Sequence, residues 1–527
     1  MSEIKSKMRI PEFYEGRSIL ITGASGLMGK VLVEKLLYSC SDLKNIFMLV
    51  RPNKQKSVNA RMEEILNLPM FERLRKEKPH LLNKIIPVTG DFRFPDLGLN
   101  PEMRKRIIEE VSILYHGAAT LKLESNLKDA VEMNTLGTYK VIQLAKEMKK
   151  LECFIHISTA FCHVDKEVLE EKAYEAPYDP MNIINLVQWM DNKHLDKITE
   201  ELIAPHPNTY TFSKRLAERL VADEYPKLPV CIARPSIVTP AYREPCPGWV
   251  DNLNGPVGIM VAAGKGVLRS MYAKPEYKAE LCPVDIGING LIGIPKKLVT
   301  EKRQPTIPVF NLTQAKEREI TWGELLERGR SLTFSHPFDT ILWFPGGNIR
   351  SNLIVHKIYA FFLHWIPAYF IDFLFFLFRQ KRFMIRVQNR IALGLQYLQY
   401  FTTRKWCFMN QNFLDLRDEM HPEDKKLFPI DFKKIETMPY ITDSLLGARV
   451  YCLKEPLKNL PRARRMIKIY YVVDRVVTFL FCMLVAHFII SCSDTARYIF
   501  DATGESLKSM PFIRTFVPHD ATPAARH

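Results

Sequence analysis

The stretch HPNTYTFSKRLAE, residues 206–218, sets Tyr210 four positions before Lys214. On a helix, positions i and i+4 share a face, so a phenol and an ammonium become neighbours there. A free phenol titrates near pH 10, too high for easy exchange at neutral pH, and a nearby cation favours its ionised form. The pair therefore suits proton donation to an oxygen on which negative charge develops. A solvated helix face is the alternative, and the context decides between them. Asn134, in AVEMNTLGTYKVIQLA, and Ser158 and Thr159, at the end of CFIHISTAF, come before the pair.

The elements that must hold these side chains begin at RSILITGASGLMGKVLVEKLLYS. A strand over Ser18–Thr22 runs into glycines at 23, 26 and 29 and then a helix. Short glycine turns let backbone N–H groups approach a pyrophosphate at a helix N-terminus, where the dipole favours negative charge. Thr22, Gly23, Ser25, Gly26, Leu27, Met28 and Gly29 are thus the candidate dinucleotide loop, spaced T-G-x-x-G-x-x-G rather than G-x-G-x-x-G. The next strand, NIFMLVRP, ends in Arg51, where an acid usually binds ribose hydroxyls; an arginine instead suits the 2′-phosphate of NADPH. A third strand, KIIPVTGDF, brings Asp91 and Phe92 to an adenine edge. A fourth, VSILYHGAAT, ends in the small residues Gly117, Ala118 and Ala119, which leave room for a ribose. Strands alternating with helices predict a doubly wound parallel α/β sheet with its ligands beyond the carboxyl ends of the strands.

The composition is globular: 527 residues, 47% hydrophobic and 25% charged, enough for two or three domains. The ten cysteines form no C-x-x-C pair, which argues against a disulfide framework and a cysteine zinc cluster. MSEIKSKMRIPEFYEG lacks the apolar core of a secretory signal. A net charge of +16 suits anionic partners, but the basic residues cluster beside apolar runs and no nucleic-acid module is recognised.

With LKLESNLKDAVEMNTLGTYKV, HISTAFCH and YTFSKRLAE in this order, the chain resembles the extended short-chain dehydrogenase/reductases. The gap between Thr159 and Tyr210 is longer than usual there, and the charged segment DKEVLEEKAYEAPYDP fills it. The block ARPSIVTPAYREPCPGWVDNLNGPVGIMVAAGKGVLRSMY, 233–272, is similar to fatty acyl-CoA reductases, as are YFTTRKWCFMNQN and FPIDFKKIETMPYITDSLLGARVYCLKE. The resemblance covers about residues 15–455. It implies NADPH-dependent reduction of long-chain acyl-CoA to a primary alcohol through a bound aldehyde, with two hydride transfers and release of CoA. Tyr210 and Thr159 would meet the developing oxyanion, Lys214 would hold the nicotinamide ribose, and Asn134 would support the proton path. Pro235 and Ile237 join the cofactor contacts. Ser158 should point away from Thr159, since successive strand residues face opposite sides. Cys162, Cys231, Cys246 and Cys282 are expected to be small apolar residues rather than nucleophiles, and His156 and His163 ordinary polar residues rather than metal ligands. A sterol- or hydroxysteroid-type dehydrogenase would share every motif up to Lys214, and a membrane-tethered NADPH-binding scaffold would share the fold; the 233–272 block tells against the first and the intact Tyr–Lys pair against the second.

An enzyme that keeps a fatty aldehyde bound needs an apolar tunnel, and the C-terminal half supplies the composition for one. TIPVFNLTQAKEREITWGEL reads as the last strand and helix of a reductase domain spanning 1–335, followed by a mainly helical domain over 350–456. Its run IYAFFLHWIPAYFIDFLFFLF, 358–378, has spanning length, but Pro367 and Asp372 favour a bent helix in the membrane interface or lining an acyl site, and a buried core helix weighs equally. Arg379, Lys381, Arg382, Arg386 and Arg390 after it could meet lipid headgroups or CoA phosphates. A second run, VVTFLFCMLVAHFIISC, reads as a membrane anchor within 466–495, and the preceding PRARRMIK keeps the catalytic domain in the cytosol. The endoplasmic reticulum is the expected membrane, with peroxisome or lipid droplet as alternatives. Residues 496–527 read as a disordered tail. The NLT at 311–313 fits the N-glycosylation pattern, which a cytosolic domain would not use.

Overall fold

The computed structural model describes residues 8–52 and 57–495, with 497–498 and 502–503; the predicted disordered tail otherwise lies outside them. Seven parallel strands form the central sheet: β1 Ser18–Thr22, β2 Asn45–Val50, β3 Ile85–Thr89, β4 Val111–His116, β5 Cys153–Ile157, β6 Val230–Pro235 and β7 Val309–Leu312. Their spatial order is β3-β2-β1-β4-β5-β6-β7, the doubly wound parallel order expected. Strand order reverses between β1 and β4, and a ligand crevice belongs there. β1, β4 and β6 are buried at every position, so their sequences are mostly apolar and lack the alternation of a half-exposed strand.

Four helices matter for the site. α1, Leu27–Ser39, follows the glycine turn, and Gly26 caps it without a side chain. α2, Gly137–Glu147, continues from Leu127–Ala130 through a wide turn at Val131–Leu136. α3, Thr209–Ala222, starts where the Asn208 side chain accepts from the Thr211 amide at 3.0 Å. α4, Val284–Thr300, packs against α1. The charged insertion after Thr159 is ordered rather than loose. Its Val168–Leu169 pairs with Cys407–Phe408, and Arg215 of α3 donates to Asp165 (2.6 Å) and to the Glu175 carbonyl (2.9 Å).

The chain divides into two units, Met1–Pro461 and Arg462–His527. Within the first, Phe413, Leu416, Met420, Phe428 and Phe432 share one core with β1, α1 and α4. Gly290 and Gly293 of α4 make room for Phe413 and Met420; a Cβ there would lie 2.3 Å and 2.7 Å from their side chains. Gly248, with φ +70°, meets helix Thr437–Gly447 so closely that a Cβ would fall 2.0 Å from the Asp443 carbonyl oxygen. The second unit carries most of helix Leu460–Cys492. Among the described residues, two helical segments are long and apolar enough to cross a membrane, Leu353–Leu377 and Leu457–Cys492. Asn311, in the glycosylation-like NLT, is fully buried in β7 and donates to the Leu169 and Met409 carbonyls at 3.2 Å and 2.7 Å, so it serves packing.

Candidate active site

The glycine turn at the end of β1 meets the end of β4 back to back. Gly23 has φ +75°, and a Cβ on it would stand 2.7 Å from the Ala118 nitrogen. A Cβ on Gly29 would stand 2.3 Å from the Gly23 carbonyl oxygen, so only glycine lets α1 begin here. Thr22 fixes this junction: its hydroxyl bonds His116 Nδ1 (2.7 Å) and accepts from the Ala118 amide (3.3 Å). The amides of the first turn of α1 thus remain available, and the residues fit a dinucleotide pyrophosphate.

At the far end of the cradle, Arg51 is exposed one residue past β2. Asp91 is buried and takes the Arg93 side chain at 3.0–3.1 Å. The Arg93 guanidinium holds the Asp91 carboxyl below its usual range, with Arg51 adding a smaller pull. Two arginines therefore gather where Arg51 alone was expected. The Phe92 ring is buried, packing on Gly137 and His116, so any edge it offers an adenine comes from its backbone or ring rim.

The expected catalytic side chains gather at the carboxyl end of β5. Thr159 is buried and its hydroxyl accepts from the Phe161 amide at 3.2 Å, while Tyr210 is half-buried and near enough for Thr159 to lower its pKa slightly. Ser158 is directed to Cys162, Oγ to Sγ 3.7 Å. Lys214 is buried; its Nζ donates to the Ile157 carbonyl at 2.8 Å and lies 3.3 Å from His156 Nε2. Burial brings this lysine down to about 8, with Glu218 opposing the shift. The phenol departs from the sequence argument: burial and the Cys162 thiol raise the Tyr210 pKa above the ordinary value, against a smaller lowering from Thr159. Lys214 is not among the groups that shift it, and its ammonium bonds the Ile157 carbonyl instead of the phenol. Tyr210 is thus held as a neutral donor, the protonation state that reduction requires.

Asn134 sits in the wide turn before α2, a distortion common at functional positions. Its Oδ1 accepts from the Thr120 amide (2.8 Å), and its Nδ2 donates to Ser213 Oγ (2.9 Å). It reaches α3 through Ser213, whose hydroxyl donates to the Tyr210 carbonyl at 3.0 Å, rather than through Lys214.

One further cluster was not anticipated. Glu218, one turn beyond Lys214, is fully enclosed and accepts from Arg234 (2.7 and 2.9 Å), from His163 (2.8 Å) and from the Cys162 thiol (3.2 Å). Despite burial, Arg234 and His163 keep its carboxyl well below the usual range. The only signal in the sequence is the i, i+4, i+8 series 210, 214, 218. Cys162, His163 and Glu218 are close enough together to hold a metal ion, but Arg234 engages both Glu218 oxygens and burial keeps the Cys162 thiol well above its ordinary value.

An apolar cavity of about 190 Å³ is lined among others by Val257, Met260, Leu281, Trp322, Phe338 and Leu445. Thr239 also lines it, on the strand Ile237–Thr239 that continues from β6. The Pro235 carbonyl accepts from the amide of Ala160, next to Thr159, at 3.0 Å. Four strand residues, about 13 Å at ~3.3 Å each, therefore separate the Thr159 level from the cavity wall.

The doubly wound sheet, glycine cradle and Tyr–Lys helix define a nicotinamide-dependent reductase of the extended short-chain class. The family described as Male sterility protein matches residues 21–291 and, through a second domain of the same description, residues 363–455. The chain is 38% identical over 456 residues to Fatty acyl-CoA reductase 1 of Rattus norvegicus, covering 86% of this chain and 88% of the relative. It is 37% identical over 457 residues to Fatty acyl-CoA reductase 1 of Homo sapiens (86% and 88%), and 34% identical over 494 residues to Fatty acyl-CoA reductase 2 of Mus musculus (93% and 95%). The chain belongs to the fatty acyl-CoA reductase family. Its fold is shared by the reductase domain of a nonribosomal peptide synthetase from Mycobacterium tuberculosis, TM-score 0.56 at 17% identity over 86% of this chain and 95% of that one. The terminal R domain of the myxalamid pathway shares it too, TM-score 0.52 at 18% identity over 86% and 97%.

Proposed function

We propose that this protein reduces long-chain fatty acyl-CoA to a primary fatty alcohol with NADPH, through an aldehyde that stays bound. The observation that carries this reading is the meeting of buried Thr159 and Lys214 at the carboxyl end of β5, where Lys214 Nζ donates to the Ile157 carbonyl at 2.8 Å, one short strand from an apolar cavity. NADPH when bound supplies hydride. Gly23, Gly26, Gly29 and the first amides of α1 would hold its pyrophosphate, and Arg51 its 2′-phosphate, with Thr22, Ser25, Leu27, Met28, Asp91, Phe92, Gly117, Ala118, Ala119, Pro235 and Ile237 around it.

Tyr210 and Thr159 direct two O–H groups at the substrate carbonyl and stabilise the oxyanion as it forms. Tyr210 donates its proton there and regains one from solvent before the second reduction, and Lys214, freed from the Ile157 carbonyl, would hold the cofactor ribose. The tetrahedral thiohemiacetal expels CoA as thiol and leaves the aldehyde, which the same groups polarise for the second reduction. Each methylene in the cavity contributes about 0.8 kcal/mol to keeping the aldehyde in place. Residues 1–335 serve cofactor and proton transfer, and 350–456 close the acyl side. Helix Leu460–Cys492 anchors the chain, with the catalytic unit in the cytosol and the endoplasmic reticulum as the membrane. The test is an assay of purified protein with NADPH and acyl-CoA of graded length, with products identified. Two NADPH per alcohol are expected. Free aldehyde with one NADPH consumed, or turnover of a hydroxysteroid but not of acyl-CoA, would overturn the reading.

A further inference from the structure

The helical hairpin 353–402 leaves the body of the protein and returns to it at one strand. Asn348–Arg350 pairs in parallel with Ser270–Tyr272, and the Arg350 carbonyl accepts from the Ala273 amide at 3.2 Å. At the other end, the Thr402 carbonyl accepts from the next amide, Lys274, at 3.0 Å. Both ends are therefore tied to the same few residues. Between them, helix Leu353–Ala360 passes through a wide turn, Phe361–Trp365, into Ile366–Leu377, and Met384–Thr402 runs back.

One face of the outgoing arm is fastened inward. His364 Nε2 accepts from the Arg269 and Ser270 amides at 2.8 and 3.1 Å, and Ala368 is fully buried. Asp372 accepts from the amides of Phe383, Met384 and Ile385 at 2.8–3.0 Å, capping the returning helix. The residues 364, 368 and 372 form one helical stripe. Away from it, Phe361, Phe362, Phe370, Phe373, Phe376 and Phe378 are each at least half exposed. Water alone would make such a face strongly unfavourable. Beside it, Arg379, Lys381, Arg382, Arg386 and Arg390 are exposed, and Asp372, consumed as a cap, is the only acid between 353 and 402. An aromatic face rimmed by unopposed cations matches acyl chains below anionic headgroups.

We propose that this hairpin is a one-leaflet membrane surface: it lies in the plane of the bilayer, with its phenylalanine face in the acyl region and its arginines at the phosphates, and does not span. The length of 353–377 would allow a crossing. The common tether at Ala273 and Lys274 excludes a single crossing, His364 holds the outgoing arm to the body, and the returning helix, with Arg386, Gln388, Asn389 and Arg390 near its start, is too polar to cross back. Ser270 and Met271 on the tethering strand also line the apolar cavity, so the leaflet and the cavity share a wall element. The inference rests on the hairpin alone and stands or falls apart from the activity.

The test uses the full chain in sealed vesicles of phosphatidylcholine with a minor share of phosphatidylserine, with Cys407, Cys482 and Cys492 changed to serine. Nitroxides are placed at Phe373→Cys, at Phe376→Cys as a second reporter of the same face, and at Ser351→Cys and Arg404→Cys beside the tethers. Collision with oxygen and with a water-soluble nickel chelate outside the vesicles is measured. The Phe373 and Phe376 labels should be open to oxygen and closed to the chelate, at a depth of about 5–10 Å. Both tether labels should meet the chelate from the same side. The proposal is overturned if the chelate reaches Phe373 as readily as Ser351, which puts the face in water. It is equally overturned if both reagents are excluded, which puts the face against protein, or if the tether labels answer from opposite sides, which makes the segment a span.

Discussion

Replacing Lys214 with methionine separates what this residue costs the fold from what it gives the reaction. The ammonium is buried and sits at about 8 instead of the ordinary 10.5, chiefly through desolvation. That depression corresponds to ~3 kcal/mol by which the charged form is disfavoured in the folded protein. Between pH 8 and 10.5 the unfolded chain binds the proton that the folded one has released, so stability rises with pH across that window. Below pH 8 both states are charged, and the folded state carries the full penalty. Methionine keeps the stem and removes the charge, but it forfeits the bond to the Ile157 carbonyl, worth about 1 kcal/mol. Lys214→Met should therefore be more stable than the parent at pH 7 by ~2 kcal/mol. The advantage should shrink from pH 8 upward, vanish at about pH 9.5 and be reversed by pH 10.5, while turnover falls on the order of a hundredfold or more. Thermal unfolding of the detergent-solubilised pair at pH 7 and pH 10 measures this. A variant less stable than the parent at pH 7, or a gap that ignores pH, would refute the argument that Lys214 is a buried charge retained at the fold's expense.

Tyr210→Phe should lower turnover on the order of a hundredfold or more while NADPH affinity stays nearly unchanged; full activity would remove the proton donor. Arg51→Ala should weaken NADPH binding roughly tenfold to a hundredfold and leave NADH binding alone, read by titrating each nucleotide; equal losses would dismiss a contact to the 2′-phosphate. Glu218→Gln removes the one carboxylate that raises Lys214, so the alkaline limb of the pH–rate profile should move below about pH 8; a limb that stays or rises would break the link. If that variant folds poorly because Arg234 is left unpaired, adding Arg234→Met should restore folding but not the limb. Ala263→Phe should fill part of the cavity and cut kcat/KM for long acyl-CoA by roughly fourfold for each methylene displaced, sparing short chains; an unchanged length profile would place the acyl chain elsewhere.

Local signals carried the parts of this protein that local physics decides. Parallel strands buried on both faces, such as Val111–His116, read as mostly apolar runs without alternation. The glycines at 23 and 29 were visible because a backbone contact excludes every other residue there. The Tyr210–Lys214 spacing was readable as one helix face, and Pro367 marked an irregular helix, which takes a wide turn at Phe361–Trp365 just before it. What the ammonium bonds was not readable, because Ile157 and His156 lie more than fifty residues from Lys214 and meet it only through the sheet. Hence the expected acidic phenol became a neutral donor. The Glu218–Arg234–His163 cluster and the cavity share that origin: their parts lie on separate elements, and no short pattern announces their meeting.

The two regions that resemble the family most, 233–272 and the stretch ending in YCLKE, touch in space. Gly248 packs on Asp443 and Gly447, and Tyr440 bonds Thr239 (2.6 Å) and the Pro240 carbonyl (2.8 Å). Thr239 and Tyr440 both line the cavity, and Phe413 and Met420 pack onto α4. The acyl wall and the dinucleotide sheet are thus parts of one core, and interiors packed this densely transmit displacement instead of absorbing it. In the proposed reaction, an aldehyde held by its chain would keep its carbonyl in register with Tyr210 and Thr159 while spent nucleotide left the glycine cradle. Shared packing of this kind gives a physical reason for two reductions at one site without release between them: the groups that must stay aligned for the second transfer belong to the rigid element that the first one used.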